Sequence, residues 1–454
     1  MELLTNLLPY QVPAYKKLRK IKVGALYMDM GLGKTRTAIE LIKNRYDRGK
    51  INHVLWLCPC SVKTNLKRDI LKHSRGLLEN TTIMGIESIS MSDRAYLKAL
   101  DVMAKNKAYI IVDESSLVKN WDAKRTQRII ELSKLAEYKL ILNGTPVTRN
   151  EADLYSQWYI LDSRIFGYRT YWSFAANHLE YDKYGRIRRV LNVDYLTNKI
   201  APYSYQLKKS EIETKLPKKN YYDYYFELTE WQYHHYENVK DSLLADVDEF
   251  EPSTIYRLLT ALQLITSGRM ITKTGGRLEH KPFFKNPKDN PRIEALLNNI
   301  DGSDEKYIIW TKYTFEIEEI SQVLKEMGKD VAIFNGDIPL KKRDKELDKF
   351  IGDSQFLIAN KSCGGYGLNL QFCNNMIYYS NDFDWGTRAQ SEDRVHRIGQ
   401  DKPVYITDII ADSKIDEMII RNLSRKESLD SYITYLLNNK NHLEAIIDGG
   451  EIGA

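Results

Sequence analysis

At 454 residues the chain is too long for one hydrophobic core, and two or three domains are expected. Its 43% hydrophobic and 28% charged residues are the balance of a soluble globular protein. No apolar run approaches the ~18 residues of a bilayer-spanning helix, so no membrane association is expected. A net charge of +6 is only mildly basic, but the cations cluster at 16–22, 63–75, 183–189 and 341–343. Taken singly each cluster reads as a solvated face; together they point to a polyanionic partner. The start, Met1-Glu-Leu-Leu-Thr-Asn6, lacks the basic and apolar regions of a signal peptide. Cys58, Cys60, Cys363 and Cys373 show neither a disulfide framework nor zinc spacing, which fits a reducing cytoplasm.

In chain order, Pro9-Tyr-Gln11 comes first. The Gln11 amide can read an adenine edge, or it is an ordinary helix residue. An apolar strand at 23–27 then runs into Met28-Asp-Met-Gly-Leu-Gly-Lys-Thr35, and a helical pattern follows to Lys43. A strand, a glycine-rich turn and a helix are the setting in which a G-K-[ST] ending binds phosphate. Gly31 and Gly33 let backbone N–H groups approach a polyphosphate at the helix N-terminus. Lys34 would reach the β- and γ-phosphates, and Thr35 would offer its hydroxyl to Mg²⁺. Met28 stands where the motif has its first glycine, so a structural helix cap is the competing reading until the downstream motifs are counted.

Strands are predicted at 54–58, 81–84, 109–114 and 139–143. The third ends in Asp113-Glu114, the acidic partner that a phosphate loop requires: Asp113 for Mg²⁺, and Glu114 to orient or deprotonate the attacking water. The fourth ends in Asn143-Gly-Thr-Pro-Val147.

In this order Gln11, MGLGKT, Cys58-Pro-Cys-Ser-Val62, Asp113-Glu-Ser-Ser116 and Asn143-Gly-Thr-Pro-Val147 resemble the first lobe of a superfamily 2 helicase. Within it they resemble the Swi/Snf-like DNA translocases, a pattern that Lys119-Asn120, Asp153-Leu-Tyr155 and Ile165-Phe-Gly167 share. That family usually has Asp-Glu-Ala-His or Asp-Glu-Gly-His where this chain has Asp-Glu-Ser-Ser. The carboxylates are kept, and the missing histidine bears on the link between nucleotide state and the neighbouring motif.

From residue 168 the pattern becomes aromatic and helical, with a helix expected after a Thr229 cap. A second α/β series opens at Pro291, with strands expected at 306–311, 331–334 and 355–359 and a helix at 316–327. The glycine-rich run Gly364-Gly-Tyr-Gly-Leu-Asn-Leu370 resembles the fifth motif of the same family. Gln390-Ser-Glu-Asp-Arg-Val-His-Arg-Ile-Gly-Gln400 resembles the sixth, and Asp382-Phe383 stands where the family generally has Asp-Trp. Arg394 and Arg397, three residues apart on one helical face, suit the stabilisation of charge on a γ-phosphoryl group.

The resemblance covers residues 9–430. It implies an α/β protein with two RecA-like lobes and a helical insertion between them: lobe 1 at 1–167, a helical protrusion or linker at 168–288, lobe 2 at 289–437 and a tail at 438–454. No room is left in these 454 residues for a histone-reading, zinc-finger or nuclease domain. ATP and Mg²⁺ are the implied cofactors. Gln11, Gly31, Gly33, Lys34 and Thr35 would bind nucleotide together with Gly367, Arg394 and Arg397. Thr35 and Asp113 would hold the metal. Catalysis would fall to Lys34, Asp113, Glu114, Arg394 and Arg397. Ser61, Lys63, Glu87, Ser88, Thr311, Lys361 and Gly364 would contact the nucleic-acid backbone.

The implied activity is ATP-driven movement along duplex DNA, tracking one strand 3′ to 5′ without sequence preference. A bacterial or phage setting in replication, recombination or repair is expected, with a protein partner choosing the target. The alternatives are a strand-separating DNA or RNA helicase, a non-hydrolysing adaptor and the ATPase subunit of a larger nucleic-acid complex.

Overall fold

Six short segments of the first half build one parallel sheet: β1 (Val23–Met28), β2 (His53–Cys58), β3 (Thr81–Gly85), β4 (Ala108–Asp113), β5 (Tyr138–Asn143) and β6 (Ser204–Leu207), in the order β6-β1-β5-β4-β2-β3. The computed structural model describes residues 1–144, 151–181, 187–212, 216–245, 252–274, 277–361, 368–397, 399–426, 432 and 435–436. The central strands are buried along almost their whole length, as expected of strands covered on both faces. Their covering helices include α1 (Lys34–Asp47), α2 (Lys63–His73) and α3 (Leu154–Asp162). The core joins Ala25, Leu55, Ile110 and Ile141 of the sheet with Trp158 of α3.

A second parallel sheet follows, made of β7 (Lys219–Phe226), β8 (Tyr307–Thr311), β9 (Val331–Phe334), β10 (Phe356–Asn360), β11 (Asn375–Tyr378) and β12 (Val404–Ala411), in the order β7-β12-β11-β8-β10-β9. The chain therefore carries two RecA-like lobes, and it divides into two units, one running through Lys215 and the other beginning at Leu216.

The stretch 168–288 is accordingly shared between the units and is not a separate protrusion. Its first part ends in β6, which pairs in parallel with β1 from Ser204 opposite Ala25 to Leu207 opposite Met28. Asp29 fastens that edge: its N–H donates to the Leu207 carbonyl (3.0 Å), and its carboxylate accepts from the Lys209 N–H (2.8 Å). Its second part opens with β7, eight residues in parallel register with β12. Both are edge strands, paired on one side only, so they lack the continuous apolar run that marks a central strand.

The predicted helices lie between them, as α4 (Glu230–Ala245) and α5 (Pro252–Thr266), with Thr229 Oγ1 accepting from the Gln232 N–H at 3.3 Å. They pack in the second unit against α9 (Lys414–Ser424), through Tyr236, Leu262 and Ile265 with Ile415 and Ile419.

Arg292 ties this helical layer to the sheet. It lies at the start of α6 (Pro291–Ile300), is 1% exposed, and donates to the carbonyls of Thr266 (3.1 Å), Tyr379 (2.6 Å) and Ile409 (3.3 Å). It also pairs with the Asp416 carboxylate, which in turn accepts from the Ala411 N–H at 2.9 Å. Removing one partner of such a pair leaves a buried charge uncompensated, which costs about 3–5 kcal/mol. Arg292→Met is therefore expected to lower the stability of the second unit by that amount in denaturant titrations. A loss below about 1 kcal/mol would show that the contact is not a structural node.

Candidate nucleotide site

The strands are parallel, so their C-terminal ends share one edge of the first sheet. In register, Tyr27 of β1 stands opposite Asn143 of β5, and Asp113 of β4 opposite Leu142. The loop after β1 and the acidic pair after β4 are thus separated by one strand, roughly 10 Å at ordinary strand spacing. Sites form at such strand ends in open α/β sheets.

The loop is shaped for a ligand. Gly31 and Gly33 have φ of +83° and +80°, conformations costly for any other residue. A Cβ on Gly33 would lie 2.1 Å from Gln11 Nε2. The N-cap of α1 is Gly33, which has no side-chain oxygen to offer the first turn. Lys34 Nζ donates to the Met28 carbonyl at 2.7 Å, so the residue replacing the motif's first glycine serves the loop through its backbone.

Gln11 is 2% exposed and lies under the loop, donating to the Leu32 carbonyl (2.9 Å) and accepting from the Leu8 N–H (3.0 Å). Its amide braces the loop in this structure, a role that the sequence reading, which aimed it at adenine, did not include.

Asp113 is partly buried. Burial, reinforced by the Glu114 carboxylate, pushes its pKa up to about 7 against the opposing pull of Lys34. A carboxyl held this way is short of positive charge, which is the condition a divalent cation relieves. With the Thr35 hydroxyl at the head of α1, a glycine at that helix's N-cap and a cradle that a Cβ would fill, the residues present fit a Mg²⁺-nucleotide.

Glu114 is strained. Its φ of 50° and ψ of 55° are left-handed values that cost a non-glycine residue roughly 1–2 kcal/mol. Three hydrogen bonds hold the turn: Glu114 N–H to Asp113 Oδ1 (3.0 Å), Leu117 N–H to the Glu114 carbonyl (2.9 Å), and Ser115 Oγ–H to Gln157 Oε1 (2.6 Å). Ser115 and Gln157 are both fully buried, and Gln157 Nε2 donates to the Asp153 carbonyl at 2.9 Å. The sequence reading missed Gln157. The available signal was a lone amide within the apolar helix Leu154–Asp162.

In the second unit, Arg394 and Arg397 follow α8 (Trp385–Glu392). The Arg394 carbonyl accepts from the Leu370 N–H (3.1 Å), and Arg397 Nη1 donates to Asn369 Oδ1 (2.5 Å), so the fifth- and sixth-motif residues are tied together. α8 is itself anchored through Arg388, which donates to Glu392 (2.9 Å) and to both Asp408 oxygens (2.5 and 2.9 Å), with its guanidinium 3.4 Å from the Tyr378 ring centroid. Burial opposes ionisation of Glu392, but Lys219 and Arg388 hold its carboxyl below the usual carboxylate range.

The expected backbone-contact residues separate into two groups. Ser61, Lys63, Glu87 and Ser88 converge around Cys60: Glu87 accepts from the Cys60 N–H (2.9 Å), and Ser88 Oγ lies 3.3 Å from Cys60 Sγ. Glu87 therefore orders the turn that presents Ser61 and Lys63, and its negative charge suits that task better than a phosphate contact.

Thr311 and Lys361 are corrected by burial, at 0% and 2% exposed. Thr311 Oγ1 is within 3.4 Å of Asn360 Nδ2. The Lys361 ammonium donates to the Ser380 carbonyl (3.2 Å) and lies 3.6 Å from Asp382, so neither side chain is presented to a phosphate backbone. Gly364, Gly367 and the Thr145-Pro-Val147 part of the third motif lie outside the described residues. Among the described residues no group of three or more His, Cys, Asp or Glu could hold a metal ion, and no helix is long and apolar enough to cross a membrane.

Two RecA-like lobes, one with a phosphate loop beside a strand-end Asp-Glu pair, define the ATPase core of a superfamily 2 helicase. The chain belongs to the SNF2-related family: it matches the SNF2-related domain over residues 14–274 and the helicase conserved C-terminal domain over 291–399.

Among curated proteins it is 25% identical to an uncharacterised ATP-dependent helicase of Mycoplasma genitalium, over 94% of this chain and 42% of that protein. It is 24% identical to one of Bacillus subtilis, over 92% and 78%. The chain thus spans less than half the length of the Mycoplasma relative. The Sulfolobus solfataricus SWI2/SNF2 ATPase core in complex with dsDNA is a similar solved structure, with 22% identity, a TM-score of 0.42, and coverage of 100% of this chain and 98% of that one.

Two outcomes follow from the acidic turn. Gln157→Leu leaves the Ser115 hydroxyl buried without its acceptor, a cost of about 1–3 kcal/mol, and frees Glu114 to relax. Steady-state kinetics should show a lower kcat with little change in KM for ATP, and adding Ser115→Ala should restore part of it. Equal kcat in Gln157→Leu and wild type would remove the link.

The second concerns Asp113, whose unfolded carboxyl titrates near 3.8 and whose folded one titrates near 7. Stability is intact while the group is protonated, below about 4, and is lost as pH rises through 7. Without nucleotide or Mg²⁺, Asp113→Asn should raise the melting temperature at pH 8 and leave it nearly unchanged at pH 4. The same shift at both pH values would refute the linkage.

Proposed function

We propose that this chain is an ATP-driven DNA translocase that moves along duplex DNA without sequence preference. The observation that carries this reading is the placement of Lys34, Asp113 and Glu114 at one sheet edge in a chain of the SNF2-related family. Bound Mg²⁺ would draw charge from the phosphates. Lys34, Thr35 and the α1 N-terminus would hold the polyphosphate, and Asp113 would face the metal. Glu114 would orient the attacking water and take its proton.

Arg394 and Arg397 are assigned to the charge that develops on the γ-phosphoryl group. Loss of that group would remove the nucleotide's preference for one state of the protein over another, and the cycle of preference would drive stepping. Ser61 and Lys63 support backbone contact by charge and hydroxyl, which makes binding tolerant of sequence and weaker at high salt. A bacterial or phage role in replication, recombination or repair, with a partner protein choosing the target, is the setting we infer.

The test is ATP turnover by the purified protein alone and with single-stranded, duplex or forked DNA, or RNA. Strong stimulation by duplex DNA is expected; preference for single strands or forks would favour a strand-separating helicase. Lys34→Ala and Glu114→Gln should abolish turnover with the fold intact, and Arg397→Ala should suppress hydrolysis more than ATP binding. Normal turnover in the first two would sink the site assignment.

A further inference from the structure

The basic cluster at 16–22 plays no part in the nucleotide site, yet the fold gives it company. The end of the helix Val12–Leu18, the last turn of α1 and the start of β5 enclose a cavity of about 440 Å³. Arg19, Lys20, Arg45, Arg48 and Lys50 line it together with the Asn44 amide, and no carboxylate does.

Arg45 is built in. It is 4% exposed and donates to the Tyr109 hydroxyl (2.7 Å) and to the Leu18 and Ile21 carbonyls (3.1 and 3.0 Å). Its guanidinium stands 4.5 and 4.7 Å from the Tyr109 and Tyr138 ring centroids. A fixed positive charge therefore forms one wall.

The other four cations are exposed. The nearby carboxylates Glu137 and Asp47 pair elsewhere, with Lys22 and Lys43. Among the described residues Arg19, Lys20, Arg48 and Lys50 have no ion-pair partner. The C-terminal dipole of α1 accounts for Arg45 and Arg48, because cations are favoured there. It does not account for Arg19, Lys20 and Lys50, which come from other segments and add like charge to the same concavity.

We propose that this cavity binds the phosphate groups of an oligoanion, as a second anion site distinct from the phosphate loop. It lies at the N-terminal edge of β1, and the loop lies at the other end of that six-residue strand, roughly 17–20 Å away at ordinary strand rise. The two sites share no residue, so this one stands whether or not the ATPase reading does. A nucleic-acid backbone and a free polyphosphate present the same oxygens, and the test separates them.

Protein carrying Lys34→Ala, which silences the phosphate-loop lysine, is titrated calorimetrically with inorganic tripolyphosphate. A short DNA duplex is titrated at a series of salt concentrations. Both are repeated after adding Arg19→Ala, Arg48→Ala and Lys50→Ala. Tripolyphosphate affinity should fall at least tenfold with an unchanged melting temperature. The three substitutions in an otherwise wild-type protein should leave basal ATP turnover unchanged, and Arg19→Lys with Arg48→Lys should retain binding.

If DNA is the source, the slope of log affinity against log salt should also become shallower by about 2.7, from three cations at about 0.9 each. An unchanged slope alongside lost tripolyphosphate binding assigns the site to free polyphosphate. If neither tripolyphosphate affinity nor slope changes, the proposal is overturned.

Discussion

Lys34 brings a cation to the sheet edge where Asp113 and Glu114 place two carboxylates, and the parallel arrangement of β1, β5 and β4 keeps the three together. Lys34 Nζ donates to the Met28 carbonyl, and Asp113 is driven toward its neutral form by burial and by its neighbour. On the proposed reading, a metal-bound polyphosphate would offer positive charge to Asp113 and phosphate oxygens to Lys34. On that reading the edge would favour binding over self-neutralisation.

The same economy explains the turn after β4. A glutamate in the left-handed region is unfavourable unless its surroundings over-determine it. Here they do, through the hydrogen bond between buried Ser115 and Gln157. The family pattern of an apolar or glycine residue followed by histidine is absent, and a polar contact into α3 stands beside the Asp113 and Glu114 carboxylates. α3 also meets the acidic motif through Ser156 Oγ, which donates to the Lys119 carbonyl at 3.0 Å, and Lys119 in turn lies 3.6 Å from Asp153. α3 thus holds the segment from Ser115 to Lys119, next to Glu114, at two points.

Much of this was legible in the sequence because central parallel strands are continuous apolar runs that end in functional residues. The expected strand at 331–334 matches residue for residue, that at 54–58 differs by one residue at the start, and that at 109–114 differs by one residue at each end. The edge strands β6 and β7 were not legible. Ser-Tyr-Gln-Leu has no apolar run, and β7 interleaves polar residues with tyrosines that are half exposed, such as Tyr222 and Tyr225. The glycine-rich turn at 31–33 and the helix after it could be read because glycine, lysine and threonine at that spacing have few other uses. The burial of Lys361 could not, because a lysine after a strand looks the same in sequence whether its ammonium meets solvent or the Ser380 carbonyl.

The second unit holds Arg394 and Arg397 by a different means. Arg394 and Arg397 follow a helix anchored by Arg388, Glu392, Asp408 and Lys219, four charged groups in a largely buried cluster. An apolar core of equal volume would hold α8 at least as stably, because buried ion pairs contribute little net stability. What the charges add is direction. Arg388 bonds to Asp408 of β12 through two nitrogens and to Glu392 of its own helix through a third, so the helix cannot rotate or slide without breaking charge-assisted bonds. Two arginines proposed to act on one phosphoryl group would need that angular definition, and a slippery apolar face would not supply it.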